Sequence, residues 1–398
     1  MKLKLHKGIA LSALAVTVLF GSGYKIPESS LDAVALSSAC IAASSGADAS
    51  YYNPANMVFS EDKSSAMELD LTYIGLSKVD YKGTTGVAGV GLVPTKTSSE
   101  SEDFFVPTIH YVSPAVGELR FGLSVVTPGG LSKQWSEVPA KLYAEEFTLK
   151  TVEINPTVAY KITDSIAVGG GIRALYSDGI VKNAKYDMTG DSWDFGYNLA
   201  VSAKIDKDTT AAITYRSKID MDVEGSTSKT ATQIKSDVSV SLPLPAALNV
   251  ALSHTFNDTT TLEIVYERTF WSSYKKLDFD FSNAVNEQLL GTPIEKEWSD
   301  TSVYRVGLTH KMEKVTLMAG YAYDENPIPE KTLNYELPAS DGNIFSVGGK
   351  YRYDENFEFG LAALGAFYKD RTVHNSVLNG TFSNSKSYLV SAGVEYKF

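Results

Sequence analysis

The feature that most constrains this chain is a rhythm in its connections. Long stretches in which apolar and polar residues alternate with period two, as in a strand with one apolar face, are joined in turn by tight turns and by long polar segments. About fourteen such stretches can be read, near 66–80, 103–113, 117–134, 151–162, 165–180, 191–206, 208–224, 244–256, 259–277, 297–311, 313–325, 342–353, 356–371 and 385–398. The connections after even-numbered stretches are short: SPAVGE, ITDS, KD, NDT, KM and DEN. Those after odd-numbered stretches are long, such as KGTTGVAGVGLVPTKTSSESED and RTVHNSVLNGTFSNSK. A soluble sandwich uses strands of about five or six residues, whereas many of these run to about ten or more, as strands tilted through a bilayer do. The expected fold is all-β: a transmembrane antiparallel β-barrel of about 14 strands, closed so that no sheet edge meets hydrocarbon.

The faces are explicit. Trp193, Phe195, Tyr197, Leu199, Val201, Ala203 and Ile205 oppose Asp194, Asn198, Ser202 and Lys204. Ala211, Ile213, Tyr215, Ile219, Met221 and Val223 read as one continuous apolar face opposite Thr214, Arg216, Lys218, Asp220, Asp222 and Glu224. The inward rows mix charges with Gly, Ala, Leu and Val, which is unusual for a plain water-filled channel.

The two ends agree with this reading. MKLKLHKGIALSALAVTVLFGSG has the basic start, short apolar run and small-residue end of a secretory signal peptide, expected over residues 1–23. The C-terminal SYLVSAGVEYKF alternates to the last residue. A final strand closing on Phe398 resembles the recognition signal of outer-membrane barrels, which implies the barrel-assembly machinery as a partner, with the bilayer and lipopolysaccharide around the wall. The net charge of -11 disfavours nucleic acid and anionic surfaces as partners. The one cysteine, Cys40, excludes an intramolecular disulfide framework and reads as a small buried residue.

Within LRFGLSVVTPGGLSKQW the alternation of Leu119 to Val125 is interrupted by Pro128-Gly129-Gly130 and resumes toward Trp135. Proline cannot donate a ladder hydrogen bond and glycine weakens a strand. The triplet therefore reads as a kink or bulge in the third strand, or as that strand's end. Ahead of the first strand, YKIPESSLDAVALSSACIAASSGADASYYNPANM (residues 24–57) has no strand period. Its Leu31, Val34, Leu36 and Ile41 suit a compact plug inside the barrel of residues 58–398.

In these segments the chain resembles the FadL/TodX family of outer-membrane transporters for long-chain fatty acids and other hydrophobic compounds. The resemblance is carried by GADASYYNPANM, by WDFGYNLAVSAKIDKDTTAAITYRSKIDMDVEG, and by YRVGLTHKMEKVTLMAGYAYDENPIPEKTLNYELPASDG. It implies a fourteen-stranded barrel with an N-terminal hatch, to which Tyr24, Lys25, Ile26, Asn53, Pro54 and Ala55 would belong. It also implies a third strand whose inward kink, here at Pro128, Gly129 and Gly130, opens the wall. Where fatty-acid-binding members carry an Arg on strand five and a Lys after strand nine, this chain has Asn183, beside Lys182, and Asp278, after Lys275 and Lys276. Typical hatch glycines are replaced by Ala35, Ser38 and Cys40.

The expected function is passive outer-membrane transport of a hydrophobic or amphipathic small molecule, with lateral release at the kink and without cofactor or metal. Leu131, Trp135, Leu142 and Phe147 are candidate contacts at the outer surface, with Lys182, Lys275 and Lys276 as candidate partners for a head group. Two other classes stay open. One is a general porin-like or adhesin-like barrel, which needs no plug. The other is an outer-membrane lipid hydrolase, for which Ser253-His254 is the adjacent pair available. The Asp-Phe alternation at Asp278 to Phe281 has metal-like spacing but also suits a plain strand edge.

Overall fold

A computed structural model describes residues 23–60 and 64–398. The segment read as a signal peptide, apart from Gly23, lies outside the described residues. Fourteen strands form one closed antiparallel barrel. They are β1 (Ala66–Leu76), β2 (Glu102–Val112), β3 (Leu119–Val126 and Gly130–Gln134), β4 (Glu146–Lys161), β5 (Ile166–Lys182), β6 (Tyr186–Lys204) and β7 (Thr209–Arg216 and Ile219–Thr230). There follow β8 (Asp237–Leu244 and Ala247–Phe256), β9 (Thr260–Thr269), β10 (Thr301–Lys311), β11 (Val315–Asp324), β12 (Gly342–Arg352), β13 (Phe357–Tyr368) and β14 (Lys386–Lys397). Ala66 pairs with Lys397 to close the ring.

The two surfaces of the wall invert the order of a soluble protein. Leu71, Phe105, Phe195, Val347 and Leu361 point outward and are exposed, while Glu68, Asp70, Glu263, Glu267 and Arg305 are buried inside. Exposed apolar rows of this extent are stable only against hydrocarbon. Rings cluster near both ends of the outer face: Tyr73 with Phe105 toward the long loops, and Phe357 with Tyr396 near the short turns. Among those turns, Asn257 and Asp258 both adopt positive φ (50° and 57°), the two central positions of a type I′ turn closed by Thr259 N–H on Phe256 O, which Asn and Asp tolerate.

Three expectations are corrected. The connection after β5 is not long, because β5 and β6 keep pairing up to a turn at Asn183–Lys185. There the Asn183 carboxamide oxygen accepts the N–H groups of Lys185 and Tyr186. The ninth strand ends at Thr269, followed by a helical turn at Trp271–Ser273. The apolar face of β7 is not continuous: Ile213 and Tyr215 lie on the outer side, whereas Ile219, Met221 and Val223 are buried inside. The register of β7 on β6 slips by one residue between Arg216↔Asn198 and Glu224↔Asp191, and one slipped residue turns every following side chain to the other face.

Residues 23–60 fold against the inner wall. After an extended stretch come α1 (Leu31–Ala35), α2 (Ala49–Tyr52) and a 3-10 turn at Pro54–Phe59. Ser30 caps α1, its hydroxyl accepting the N–H of Ala33 at 3.1 Å. The segment's small residues meet glycines of the wall. A Cβ on Gly320 would lie 2.2 Å from the carbonyl carbon of Leu36, and one on Gly348 would lie 2.5 Å from Cβ of Ala35. Alanine in the segment and glycine in the strand thus exchange the places where close approach demands a missing side chain.

The long loops build structure of their own. Asp80–Val87, Gly91–Ser98, Arg371–His374 and Leu378–Ser383 form a separate four-stranded sheet above the barrel. It is pinned by an aromatic cluster of Tyr81, Trp135, Tyr335 and Phe382.

Candidate functional site

The wall is incomplete between β2 and β3. Their ladder holds only over Ile109–Val112 against Gly122–Val125. Beyond it, toward the long loops, β2 pairs with β1 and the second half of β3 with β4, until a backbone bond from Glu100 N–H to Gln134 O (2.9 Å) rejoins the two sides. The local cause is the triplet. Pro128 has no N–H to give, and the register of β3 on β4 slips by one residue across 127–129. The upper end of the gap is closed by the Ser132 hydroxyl, which donates to the Glu102 carboxylate, and by Lys133 Nζ at 3.8 Å from it.

The inner side of the kink is covered by the start of the N-terminal segment. Ile26 N–H donates to Pro128 O at 2.9 Å, Gly130 N–H donates to Tyr24 O at 2.8 Å, and Lys25 stands opposite Gly129. A short strand has added itself to β3 where β2 has left it. Gly129 is needed for that approach, since a Cβ there would lie 3.0 Å from Tyr24 O and 3.1 Å from Leu244 Cδ1. Tyr24 is anchored further by its hydroxyl, which donates to Pro243 O at 2.5 Å, and by the rings of Trp271, Tyr274 and Trp298.

Beside the kink lies a cavity of about 60 Å³. Its lining is largely apolar (Ile26, Pro27, Ile41, Pro128, Leu244, Pro245), with Lys25, Arg173, Arg216 and Glu267 at its edge. Wall irregularities converge there: the kink of β3, the slip at Ser217–Lys218, and the break at Pro245–Ala246 directly across from it. Arg173 and Arg216 share one buried carboxylate, that of Glu153: Arg173 Nη2 lies 2.8 Å from Oε2, and Arg216 bonds Oε1. Arg216 also lies over the Tyr51 ring, 4.1 Å from its centre. Two guanidinium groups on one carboxylate leave a net positive charge facing an apolar hollow. Lys25 is paired with Glu267; burial pulls its pKa down and Glu267 opposes that pull.

Two smaller hollows of about 20 Å³ each lie toward the long loops. They share Phe147, Leu149 and Leu242, and one of them reaches Leu131 and Tyr24. On the opposite side of the N-terminal segment is a polar chamber of about 510 Å³, lined by Ser45, Lys311, Lys350, Glu358, Glu395 and Lys397 among others. The segment thus lines both the apolar hollows and this polar chamber at the short-turn end. Within it, burial raises the pKa of Glu28 to about 7. Burial, then the neighbouring Asp32, does the same to Asp48.

The residues singled out in the sequence fall into two groups. Pro128, Gly129, Gly130, Tyr24, Lys25 and Ile26 meet at the kink, and Leu131 and Phe147 line the hollows above it. Asn53 bonds Ile41 O and Ser202 Oγ, both at 2.8 Å, and Pro54 and Ala55 press on Gly169. The others lie elsewhere. Trp135 is buried under the loop sheet, donating to Tyr335 O at 2.9 Å. Leu142 sits half-buried on the short helix Ala140–Ala144, where its carbonyl accepts from Ala184. The lysines are apart from the hollows: Lys182 pairs with Glu146 at 2.5 Å, Lys276 with Asp278 at 2.5 Å, and Lys275 is exposed on the loop after β9. The cavity's cations are instead Lys25 of the N-terminal segment and two wall residues, Arg173 and Arg216, which the sequence signals only as charges on inward rows. Among the described residues no group of three or more His, Cys, Asp or Glu could hold a metal ion.

The family model described as outer membrane protein transport protein (OMPP1/FadL/TodX) matches residues 12–398. Outer membrane protein P1 of Haemophilus influenzae is 24% identical over 339 residues, covering 73% of this chain and 72% of that protein. The long-chain fatty acid transport protein of Escherichia coli is 23% identical over 314 residues, 65% of this chain and 68% of that one. Among solved structures, a Pseudomonas aeruginosa FadL homologue superposes with a TM-score of 0.84 at 20% identity, covering 94% of this chain and all (100%) of that one. The Ralstonia pickettii toluene transporter TbuX superposes with a TM-score of 0.69 at 19% identity, covering 93% and 98%.

Proposed function

The chain belongs to the OMPP1/FadL/TodX family of outer-membrane transport proteins for hydrophobic compounds, and from that premise we propose that it carries an amphipathic molecule through its own wall rather than along its lumen. Ligand enters among the long loops, passes the hollows bounded by Phe147, Leu149 and Leu131, and reaches the cavity at the kink. Each CH₂ moved from water into such lining gains about 0.8 kcal/mol, so no energy source is required for capture. The shared charge of Arg173 and Arg216 favours a ligand with an anionic end.

The ligand leaves sideways, between β2 and β3, when Tyr24–Ile26 releases Pro128–Gly130. Residues 24–57 act as a plug that keeps the lumen shut to water, and residues 58–398 as the barrel around it. The observation that carries this reading is the missing ladder between β2 and β3, covered from inside by three residues of the N-terminal segment. Unpaired backbone at membrane depth is tolerated only where protein or a cavity satisfies it.

The test replaces Pro128→Val and Gly130→Val together. Gly129 stays, because a side chain there would crowd Tyr24. β-Branched residues and a restored donor favour a continuous ladder. The barrel should stay folded, ligand binding should survive, and uptake should fall sharply. Full uptake by a folded, straight-stranded variant would mean that ligand leaves through the short-turn end.

A further inference from the structure

The turn at Ile41–Ala43 is held by an arrangement that the transport route does not use. Glu263 projects from β9 into the lumen and is 2% exposed. Its Oε1 accepts the backbone N–H groups of Ile41 (2.6 Å) and Ala42 (2.7 Å), and its Oε2 that of Ala43 (3.0 Å). Three successive N–H groups around one anion form a nest, the concave donor array that proteins use for anions. No lysine or arginine among the described residues forms an ion pair with Glu263. These donors oppose the desolvation of its carboxylate, and charge-assisted bonds of this kind are the strong ones.

The carbonyls of the same turn are taken from the other side. Asn56 Nδ2 donates to Ala42 O at 3.0 Å and Ser44 O at 3.2 Å, and Asn53 Nδ2 to Ile41 O at 2.8 Å. The turn is thus shaped by its own asparagines and offered, donors outward, to one wall carboxylate. Two other wall carboxylates grip the segment by a single N–H each: Asp70 takes that of Leu31 at 3.1 Å, and Glu395 that of Ala47 at 3.2 Å.

We infer that Glu263 is the positioning residue that fastens the N-terminal segment in its closed seat, with the Ile41–Ala43 nest as its receptor. The inference rests on the reading of residues 24–57 as a plug. Glutamine in place of Glu263 keeps the shape but removes the charge, and it presents an NH₂ group to donors that need an acceptor. The barrel wall keeps its ladder either way.

The experiment compares three proteins in planar bilayers: the unchanged chain, Glu263→Gln, and a chain lacking Tyr24–Ala49. Opening events should be about ten- to a hundredfold more frequent in Glu263→Gln, as the loss of charged hydrogen bonds implies, while heat-modifiable migration of the folded barrel is unchanged. If the deletion raises conductance and Glu263→Gln behaves as the unchanged chain, the inference is overturned and the plug stands. If the deletion leaves conductance unchanged, the plug reading fails and the inference with it. Should Glu263→Gln not fold, deuterium exchange in the unchanged protein decides. Amides of Ile41–Ala43 as slow as those of the β9–β10 ladder support the role, and exchange as fast as in exposed loops overturns it.

Discussion

Ile26 donates its backbone N–H to the carbonyl oxygen of Pro128 at 2.9 Å. That bond joins the start of the N-terminal segment to the place where the wall stops pairing. It gives the broken strand a partner from inside the barrel in place of the one it lacks in the sheet. A partner joined to β3 by the two backbone bonds of one bridge is released more easily than a neighbouring strand. On the proposed route the kink and the N-terminal segment act as one device.

Removing one of the cavity's two guanidinium groups should separate charge from packing. Arg216→Met leaves Glu153 with Arg173 and keeps an apolar stem over Tyr51. Affinity for a carboxylated alkyl probe should fall about tenfold, the scale of one hydrogen bond to a charged group. Affinity for a neutral hydrocarbon should hardly change. Fluorescence displacement with both probes checks this; an equal loss for the two would assign Arg216 to packing alone.

On the reading of residues 24–57 as a plug, that segment should loosen as pH rises. Glu28 and Asp48 are both held at about 7, above the ordinary values of 4.5 and 3.8, chiefly by burial. A raised carboxyl favours the folded seat in its neutral form. The stability it contributes is full below the ordinary value and is lost as pH climbs through about 7. Opening events in bilayers should therefore increase several-fold between pH 5 and pH 7.5 and level off above that. The double variant Glu28→Gln, Asp48→Asn should flatten the profile; an unchanged profile would assign the dependence to other groups.

Much of the barrel was legible because its physics is local. A strand between lipid and a filled lumen shows its period two residue by residue, and a turn such as Asn257-Asp258 announces itself by composition. What stayed hidden depends on register. Ile213 and Ile219 share parity in the sequence but not a face, because one extra residue near Ser217 is invisible to a pattern count. The pairing of Asp80–Thr85 with Leu378–Ser383 joins segments far apart in the chain, so neither reads as more than polar loop. The cavity cations were missed for the same reason. Arg173 and Arg216 look like any inward charge until β5 and β7 are set beside Glu153 on β4. Lys182 and Lys276 draw the eye by position, yet each is engaged by a neighbouring carboxylate.

The most direct test of the central claim blocks the other exit. Ser45 faces the 510 Å³ chamber at the short-turn end, and because Cys40 lines the same chamber, although only 3% exposed, the test is made in a Cys40→Ala background. In a Ser45→Cys protein, a bulky polymer-linked maleimide applied from that side fills the chamber without touching the kink. Uptake of a hydrophobic probe into the bilayer, measured before and after labelling, should be unchanged if ligand leaves between β2 and β3. Loss of uptake on labelling would contradict the account and place the exit at the barrel's lower end.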